Sequence, residues 1–265
     1  MELFDLTGKK AIVTGGSRGL GRGAAEGLLE AGAEVVLIGS SEAVHTTAHE
    51  YCGKGFKAHG LQADLGDEVQ LLKAFDNAME LLDGRLDILV QAAGVQRRHK
   101  AEEFPLEDWE FVLDVNLTAV FKLCQLAGRI MLEQGGGKII NFASMLTYFG
   151  GYTVPAYAAS KGGVAQLTKA LSNEWTARGV NVNAVAPGYM VTSMNTRILE
   201  DEARNASITA RIPAGRWGTP EDMKGTVIFL ASHASDYLSG AVIPVDGGYL
   251  GLSLIHIYCF NGIPG

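Results

Sequence analysis

Cysteine is scarce in this chain: Cys52, Cys124 and Cys259 are the only three in 265 residues. Their odd number and wide spacing exclude a disulfide framework and the CxxC pattern of a metal knuckle, and predict reduced thiols in a cytoplasmic protein. Basic residues are also in deficit, 22 Lys and Arg against 29 Asp and Glu, which leaves a formal charge of -7. Nucleic acids and anionic membranes call for clustered basic residues, so this balance points to a small molecule as the main partner. No run approaches the ~20 apolar residues of a membrane span. The opening MELFDLTGKK has no basic segment followed by an apolar one, so no targeting peptide is expected. Metal ligands are equally sparse. His45 and His49 have the spacing of two ligands on a helix, but no third is evident, so a solvated face and no metal are expected.

What the chain does have is a regular alternation. Apolar, β-branched runs at 10–14, 34–38, 86–91, 138–143 and 180–186 are separated by longer segments of helical period. The runs are nearly continuous in apolar residues, as strands covered by helices on both faces must be. The expected fold class is α/β, a Rossmann-type doubly wound parallel sheet with right-handed crossovers. A shorter strand near Leu61 and a last one at 241–245 bring the count to about seven. Residues 1–250 are expected to form one domain. Between Pro187 and Pro220 the alternation stops, and so long an insertion predicts a substrate lid over about 188–220. Its Met190, Met194 and Trp217 read first as packing residues. Residues 251–265 have no periodic role and read as a docking arm or a segment of foreign origin.

The run at 10–14 passes directly into Gly15-Gly16-Ser17-Arg18-Gly19-Leu20-Gly21 and then into an apolar helical pattern. Glycines permit positive φ and close backbone approach, and the free N–H groups of a helix N-terminus attract a pyrophosphate. A plain tight turn would use similar residues. The strand before and the helix after favour a dinucleotide cradle made by Gly15, Ser17, Arg18, Gly19, Leu20 and Gly21. The second run ends in Gly39-Ser40-Ser41, with no acid until Glu42. An acid at this point grips ribose hydroxyls, whereas Ser40 and Arg18 suit a 2′-phosphate. NAD(H) and NADP(H) both stay open as cofactors.

Tyr157 and Lys161 stand four apart in a segment of helical period, so both fall on one face, a turn apart. A phenol titrates near 10, and a neighbouring ammonium favours its ionised form, so the pair predicts a usable general acid and base. Ser144 ends the run at 138–143 on the edge where open α/β sheets place ligands, and can donate to a carbonyl oxygen. A lone YxxxK pattern is usually a solvated helix face; Ser144 and the glycine loop together make it a catalytic constellation.

The Gly-x-x-x-Gly-x-Gly spacing of 15–21, with Ser144 and Tyr157-x-x-x-Lys161, resembles the short-chain dehydrogenase/reductase family along nearly the whole chain. The resemblance implies that Asp64 and Leu65 meet the adenine, and that Gly94, Pro187, Gly188, Met190 and Thr192 line the rest of the dinucleotide. It also implies that Tyr157 and Lys161 touch the dinucleotide, that Asn116 holds a water relaying protons from Lys161, and that the protein forms a homotetramer. One station departs from the family pattern: Asn-Asn-Ala-Gly is Gln91-Ala92-Ala93-Gly94 here, and Gln91 is expected to replace the structural hydrogen bonds only in part.

Gln96-Arg97-Arg98-His99 follows the fourth strand at its crevice end, where a guanidinium can clamp a carboxylate. A surface patch pairing with Glu102 and Glu103 is the alternative. Segments 95–109, 143–145, 186–190 and 211–222 are similar to the sugar-acid dehydrogenases of the family that handle deoxygluconate and dehydro-deoxygluconate. That similarity implies interconversion of a ketone and a hydroxyl on a six-carbon keto or hydroxy acid. Ser144 and Met145 would lie beside the substrate and Arg98 on its carboxylate, with Arg211 and Arg216 as further candidates. The competing readings are a gluconate dehydrogenase, an acyl carrier-protein ketoreductase, and a non-catalytic dinucleotide sensor. A sensor has no physical need for Ser144, Tyr157 and Lys161 together.

Overall fold

The apolar runs pair into one parallel sheet because each has an apolar side chain for both faces. In a computed structural model that describes residues 2–252, the strands are β1 (Lys10–Thr14), β2 (Glu34–Gly39), β3 (Ala58–Gln62), β4 (Ile88–Gln91), β5 (Gly137–Phe142), β6 (Val180–Pro187) and β7 (Val242–Val245). Their order is β3-β2-β1-β4-β5-β6-β7, all parallel. The order reverses direction between β1 and β4, and the crevice beyond the carboxyl ends of these two strands is where such sheets bind ligands.

The period of two along each strand divides the core. Ile12, Val36, Ile38 and Leu89 face α3 (Glu68–Leu81), α5 (Ala119–Gln134) and α6 (Pro155–Trp175). Their neighbours Ala11, Val13, Val35, Leu37, Ile88 and Val90 face α1 (Gly19–Glu30), α2 (Ala43–Gly53) and α9 (Lys224–Ala231). Each buried Val, Leu or Ile contributes roughly 1.5–3 kcal/mol, so the two clusters hold the sheet flat enough to present its edge residues in register.

The helix before β5 is continuous over three segments. α4 (Leu106–Leu113), a π-helical turn at Asp114–Thr118 and α5 run on as one helix, Leu106–Gln134, long and apolar enough by composition alone to cross a membrane. Half of its most apolar window is buried inside the fold, where Ala119, Leu123, Ala127 and Met131 meet the sheet. The π turn inserts an extra residue, a feature often tied to functional positions, and here it carries Asn116.

Residues 188–220 have their own order. Met190 and Gly218 form a parallel bridge at the neck, and between them lie α7 (Thr196–Leu199) and α8 (Glu202–Thr209). Ile198, Ile208, Ile212, Trp217 and Tyr249 make a third small apolar cluster. Trp217 and Met190 are buried packing residues, whereas Met194 is 45% exposed. Of the tail, residues 253–265, Cys259 among them, lie outside the described residues.

Candidate active site

The glycine turn leaves β1 and becomes α1 with no side chain capping the helix, although α3 and α8 are capped by Asp67 and Asp201. The first-turn N–H donors of α1 are therefore left for an external acceptor. Gly21 packs so tightly on the Gly15 carbonyl, and Gly15 on Ala93, that a Cβ at either position would strike backbone. Gly19 has φ of +55° and faces open space apart from Thr192, 3.6 Å from where its Cβ would stand. Thus Gly15 and Gly21 build the turn, and Gly19 leaves room over it. Leu20 packs partly on the core. The Ser17 hydroxyl lies over Gly39 at the end of β2, beside the exposed Ser40, and the exposed Arg18 forms no ion pair among the described residues. These residues fit a dinucleotide bearing an extra phosphate.

The other stations sort into backbone and side-chain roles. Asp64 is exposed and accepts from Gly66 N at 2.9 Å, while the Leu65 side chain is buried in the core. Met190 likewise points into the core, so Leu65 and Met190 offer a ligand only their backbone. Gly188 follows Pro187 and packs against Asp246, its N–H donating to the Val245 carbonyl at 2.9 Å. His45 and His49 lie on the exposed face of α2, and no group of three metal-ligating side chains occurs among the described residues.

Ser144, Tyr157 and Lys161 meet beyond the carboxyl ends of β4 and β5. Ser144 caps a short helical turn, Met145–Thr147, by accepting from Leu146 N at 3.2 Å. Its own proton is thereby free to be donated outward. The Ser144 hydroxyl favours the ionised form of the Tyr157 phenol. Lys161 is buried, and its Nζ donates to the Phe142 carbonyl at 2.6 Å while lying 5.7 Å from the Tyr157 ring centroid.

This arrangement corrects one expectation. Burial pushes the Tyr157 phenol above its ordinary value, opposed by Ser144, so the phenol stands neutral where the Lys161 spacing suggested an ionised form. The physical reason lies with the ammonium, which is itself desolvated to a pKa of about 8 and directs a hydrogen bond to Phe142. A neutral phenol is a proton donor as it stands.

Asn116 is fully buried on the π turn. Its Nδ2 donates to the Val95 carbonyl at 2.9 Å and to Ser160 Oγ at 3.2 Å, and its Oδ1 accepts from Val95 N at 2.8 Å. Both carboxamide donors are committed, so the side chain clamps the loop after β4. Gly94 sits between the Asn116 carboxamide and Lys161 Nζ, and a Cβ there would stand 3.4 and 3.8 Å from them. Gln91 behaves as its substitution predicts: Nε2 donates to Val120 O, Asn141 Oδ1 and Cys124 Sγ at 3.0–3.1 Å, while the buried Oε1 has no partner.

The basic run 97–99 is sorted by a residue that sequence reading missed. Asp108 on α4 holds Arg97 at 3.1 Å and His99 at 2.6 Å. Arg98, between them, has no carboxylate partner among the described residues, and its Nη2 donates to Gln96 Oε1 at 3.3 Å. Arg211 lies 4.9 Å over the Tyr249 ring. Arg216 is bound bidentately by Asp222 at the lid neck, both contacts at 2.7 Å. Tyr189 and Tyr249, 5.3 Å apart between ring centroids, were also missed, since isolated tyrosines carry no spacing signal. Phe149 joins Tyr249 at 6.0 Å and links this aromatic wall to the Ser144 turn.

A family model described as enoyl-(acyl carrier protein) reductase matches residues 15–250. The chain belongs to the short-chain dehydrogenase/reductase family of oxidoreductases. Among its relatives, 2-dehydro-3-deoxy-D-gluconate 5-dehydrogenase of Bacillus subtilis is 48% identical, over 94% of this chain and 97% of the relative. The protein of the same name from Escherichia coli is 46% identical over 94% and 98%. Among solved structures, a gluconate 5-dehydrogenase of Burkholderia cenocepacia in complex with NADP and tartrate is 39% identical, covers 95% of this chain and 99% of its own, and superposes with a TM-score of 0.90.

Proposed function

We propose that the chain interconverts a ketone and a secondary alcohol on a deoxy-keto sugar acid of the 2-dehydro-3-deoxy-gluconate type, with NADP(H) as the preferred dinucleotide. The observation that carries the reading is the convergence of Ser144, Tyr157 and Lys161 at the sheet edge, with Arg98, a guanidinium without a carboxylate partner among the described residues, on the loop after β4. The names of the Bacillus subtilis and Escherichia coli relatives support the substrate class. The NADP bound by the Burkholderia protein supports the dinucleotide. So do Arg18 and Ser40, which stand where an acid would exclude a 2′-phosphate.

The bound dinucleotide supplies or accepts the hydride. In reduction, Ser144 Oγ–H and the Tyr157 phenol both donate to the substrate's carbonyl oxygen, and Tyr157 delivers its proton there as the alcohol forms. In oxidation the same phenol, deprotonated, takes the hydroxyl proton. Lys161, anchored on the Phe142 carbonyl, lies over the Tyr157 ring, and Asn116 fixes the loop that carries Gly94. Met145 anchors the Ser144 turn in the core. The enzyme is proposed to work in the cytoplasm as a homotetramer.

A matrix of NADH and NADPH against keto-sugar acids, simple keto acids and acyl ketones tests the proposal. Turnover restricted to keto-sugar acids, faster with NADPH, is the expected result; equal rates on acyl thioester ketones would refute the substrate class. Arg98→Ala is expected to raise KM for acids about tenfold or more, as loss of a charge-assisted bond of roughly 1.5–3 kcal/mol requires, and to spare neutral ketones.

A further inference from the structure

The loop after β4 is fastened to one helix at alternate positions. Val95 is held through its backbone, its N–H donating to Asn116 Oδ1 at 2.8 Å and its carbonyl accepting from Asn116 Nδ2 at 2.9 Å. Arg97 and His99 are held through their side chains by a single carboxylate. Arg97 Nε lies 3.1 Å from Asp108 Oδ1, and His99 Nε2 lies 2.6 Å from Asp108 Oδ2. The Arg97 guanidinium also lies 4.5 Å over the Phe111 ring, and the His99 ring stands edge-on to Phe104 at 5.1 Å. Asp108, Phe111 and Asn116 all belong to the continuous helix Leu106–Gln134. The side chains passed over are Gln96 and Arg98, and Arg98 Nη2 donates to Gln96 Oε1 at 3.3 Å.

The acids nearest in sequence take no part. Glu102 and Glu103 form no ion pair among the described residues, so the basic run is fixed by the helix and not by its own turn. The loop is braced on a second side as well. The His99 backbone N–H donates to the Thr153 carbonyl at 3.1 Å. Thr153 has φ of +64°, a left-handed setting that a β-branched residue keeps only where its surroundings impose it. Val154 follows as the N-cap of α6, and Tyr157 stands in the first turn of that helix. The position of the Arg98 backbone is thereby referenced to the helix that carries the proton donor.

We propose that Asp108 is a positioning residue of this site: by holding Arg97 and His99 on either side, it fixes Arg98 on the crevice loop for the carboxylate of the substrate. Asp108 acts through the loop and is not a ligand of the acid. The inference rests on the acid-substrate reading above and deepens it. A long side chain gives up rotamer freedom of up to ~2 kcal/mol when it engages a ligand, and a wandering loop adds the cost of its backbone. A loop ordered beforehand removes that second cost from binding, which lowers KM for the acid and leaves a neutral analogue unaffected.

The test uses the full-length enzyme with NADPH, a keto-sugar acid it reduces and the neutral amide of that acid. In Asp108→Asn the acid-over-amide ratio of kcat/KM falls about fivefold or more through KM, while kcat on the amide and NADPH affinity stay within about twofold. Asp108→Glu, which keeps a charge within reach of both partners, loses less. Added to Arg98→Gln, Asp108→Asn lowers the ratio no further, because it acts through Arg98. Arg97→Gln and His99→Gln each remove one anchor and lower the ratio about two- to threefold, which keeps the test available if Asp108→Asn does not fold. A ratio unchanged or raised in Asp108→Asn, with Arg98→Gln still lowering it, overturns the positioning role and leaves the acid-substrate reading standing. Equal losses on acid and amide, or a further full loss in the double variant, give Asp108 a part in the fold alone and overturn the role too. Arg98→Gln at the wild-type ratio also overturns it, since no residue is left for Asp108 to place. A wild-type enzyme indifferent to acid or amide overturns the acid-substrate reading and this inference together.

Discussion

Burial moves both titrating groups of the site toward their neutral forms, and the consequences run in opposite directions. For Tyr157 the phenol is raised, so the proton donor is abundant at neutral pH and the base form is scarce. Initial rates across pH are therefore expected to show reduction nearly flat around neutrality and oxidation climbing steadily into the alkaline range. A flat oxidation profile between pH 7 and 9 would contradict the assignment of Tyr157 as its base. For Lys161 the folded value, about 8, lies below the ordinary 10.5. The unfolded chain then binds more protons between those values, so stability rises with pH across the window and the penalty is greatest below it. Relative to Lys161→Met, the dinucleotide-free wild type gains roughly 2 kcal/mol between pH 7.5 and 9.5, measured by urea unfolding.

Single side chains were legible where chemistry and spacing coincide. Tyr157 and Lys161 sit four apart, and Ser144 ends a strand. Their actual partners were not legible: the Phe142 carbonyl that takes the Lys161 bond is a backbone group 19 residues away. Arg216 looked like a ligand residue because nothing in its type distinguishes a free guanidinium from one already bound to Asp222. Gln91 was readable to the level of one satisfied end and one orphan, since a glutamine in an asparagine station cannot reach the same partners.

Among elements, the glycine turn and the lid neck carry the sharpest consequences. Gly21→Ala drives a methyl into the Gly15 carbonyl, a backbone atom that cannot give way, and is expected to destabilise the fold by about 1–3 kcal/mol and to weaken dinucleotide binding about tenfold or more. Gly19→Ala meets open space and carries only the left-handed strain of about 1–2 kcal/mol. Thermal unfolding and dinucleotide titration separate the two. At the neck, Asp222 closes the turn by accepting from Thr219 N at 2.7 Å and by binding Arg216. Its carboxyl is held well below the usual range, with the Arg216 hydrogen bonds the largest cause. Its contribution is present above the unfolded value near 3.8 and fades as pH falls toward the folded one. Asp222→Ala is expected to cost about 1 kcal/mol at neutral pH, discounted for partial exposure, and a difference that does not shrink at all between pH 5 and pH 2 would contradict the cause.

The sheet itself was readable because double burial forces continuous apolar strands, and all seven fall within a few residues of their expected places. The helix through 106–134 was not read as one piece, because charges such as Glu107, Asp108 and Glu110 interrupt its apolar pattern while the π turn carries the helix past Asp114. The lid was legible as an interruption only; its two helices and its private core depend on contacts between Tyr189, Trp217 and Tyr249 that lie up to 60 residues apart.

The account depends most on a neutral, buried phenol delivering the proton beside a bound dinucleotide. Its most direct measurement is Tyr157→Phe, followed both by single-turnover reduction of a keto-sugar acid and by NADPH titration. The account predicts a fall in the reduction rate of about 10²–10⁴-fold with NADPH still bound. Reduction near the wild-type rate in that variant would contradict it.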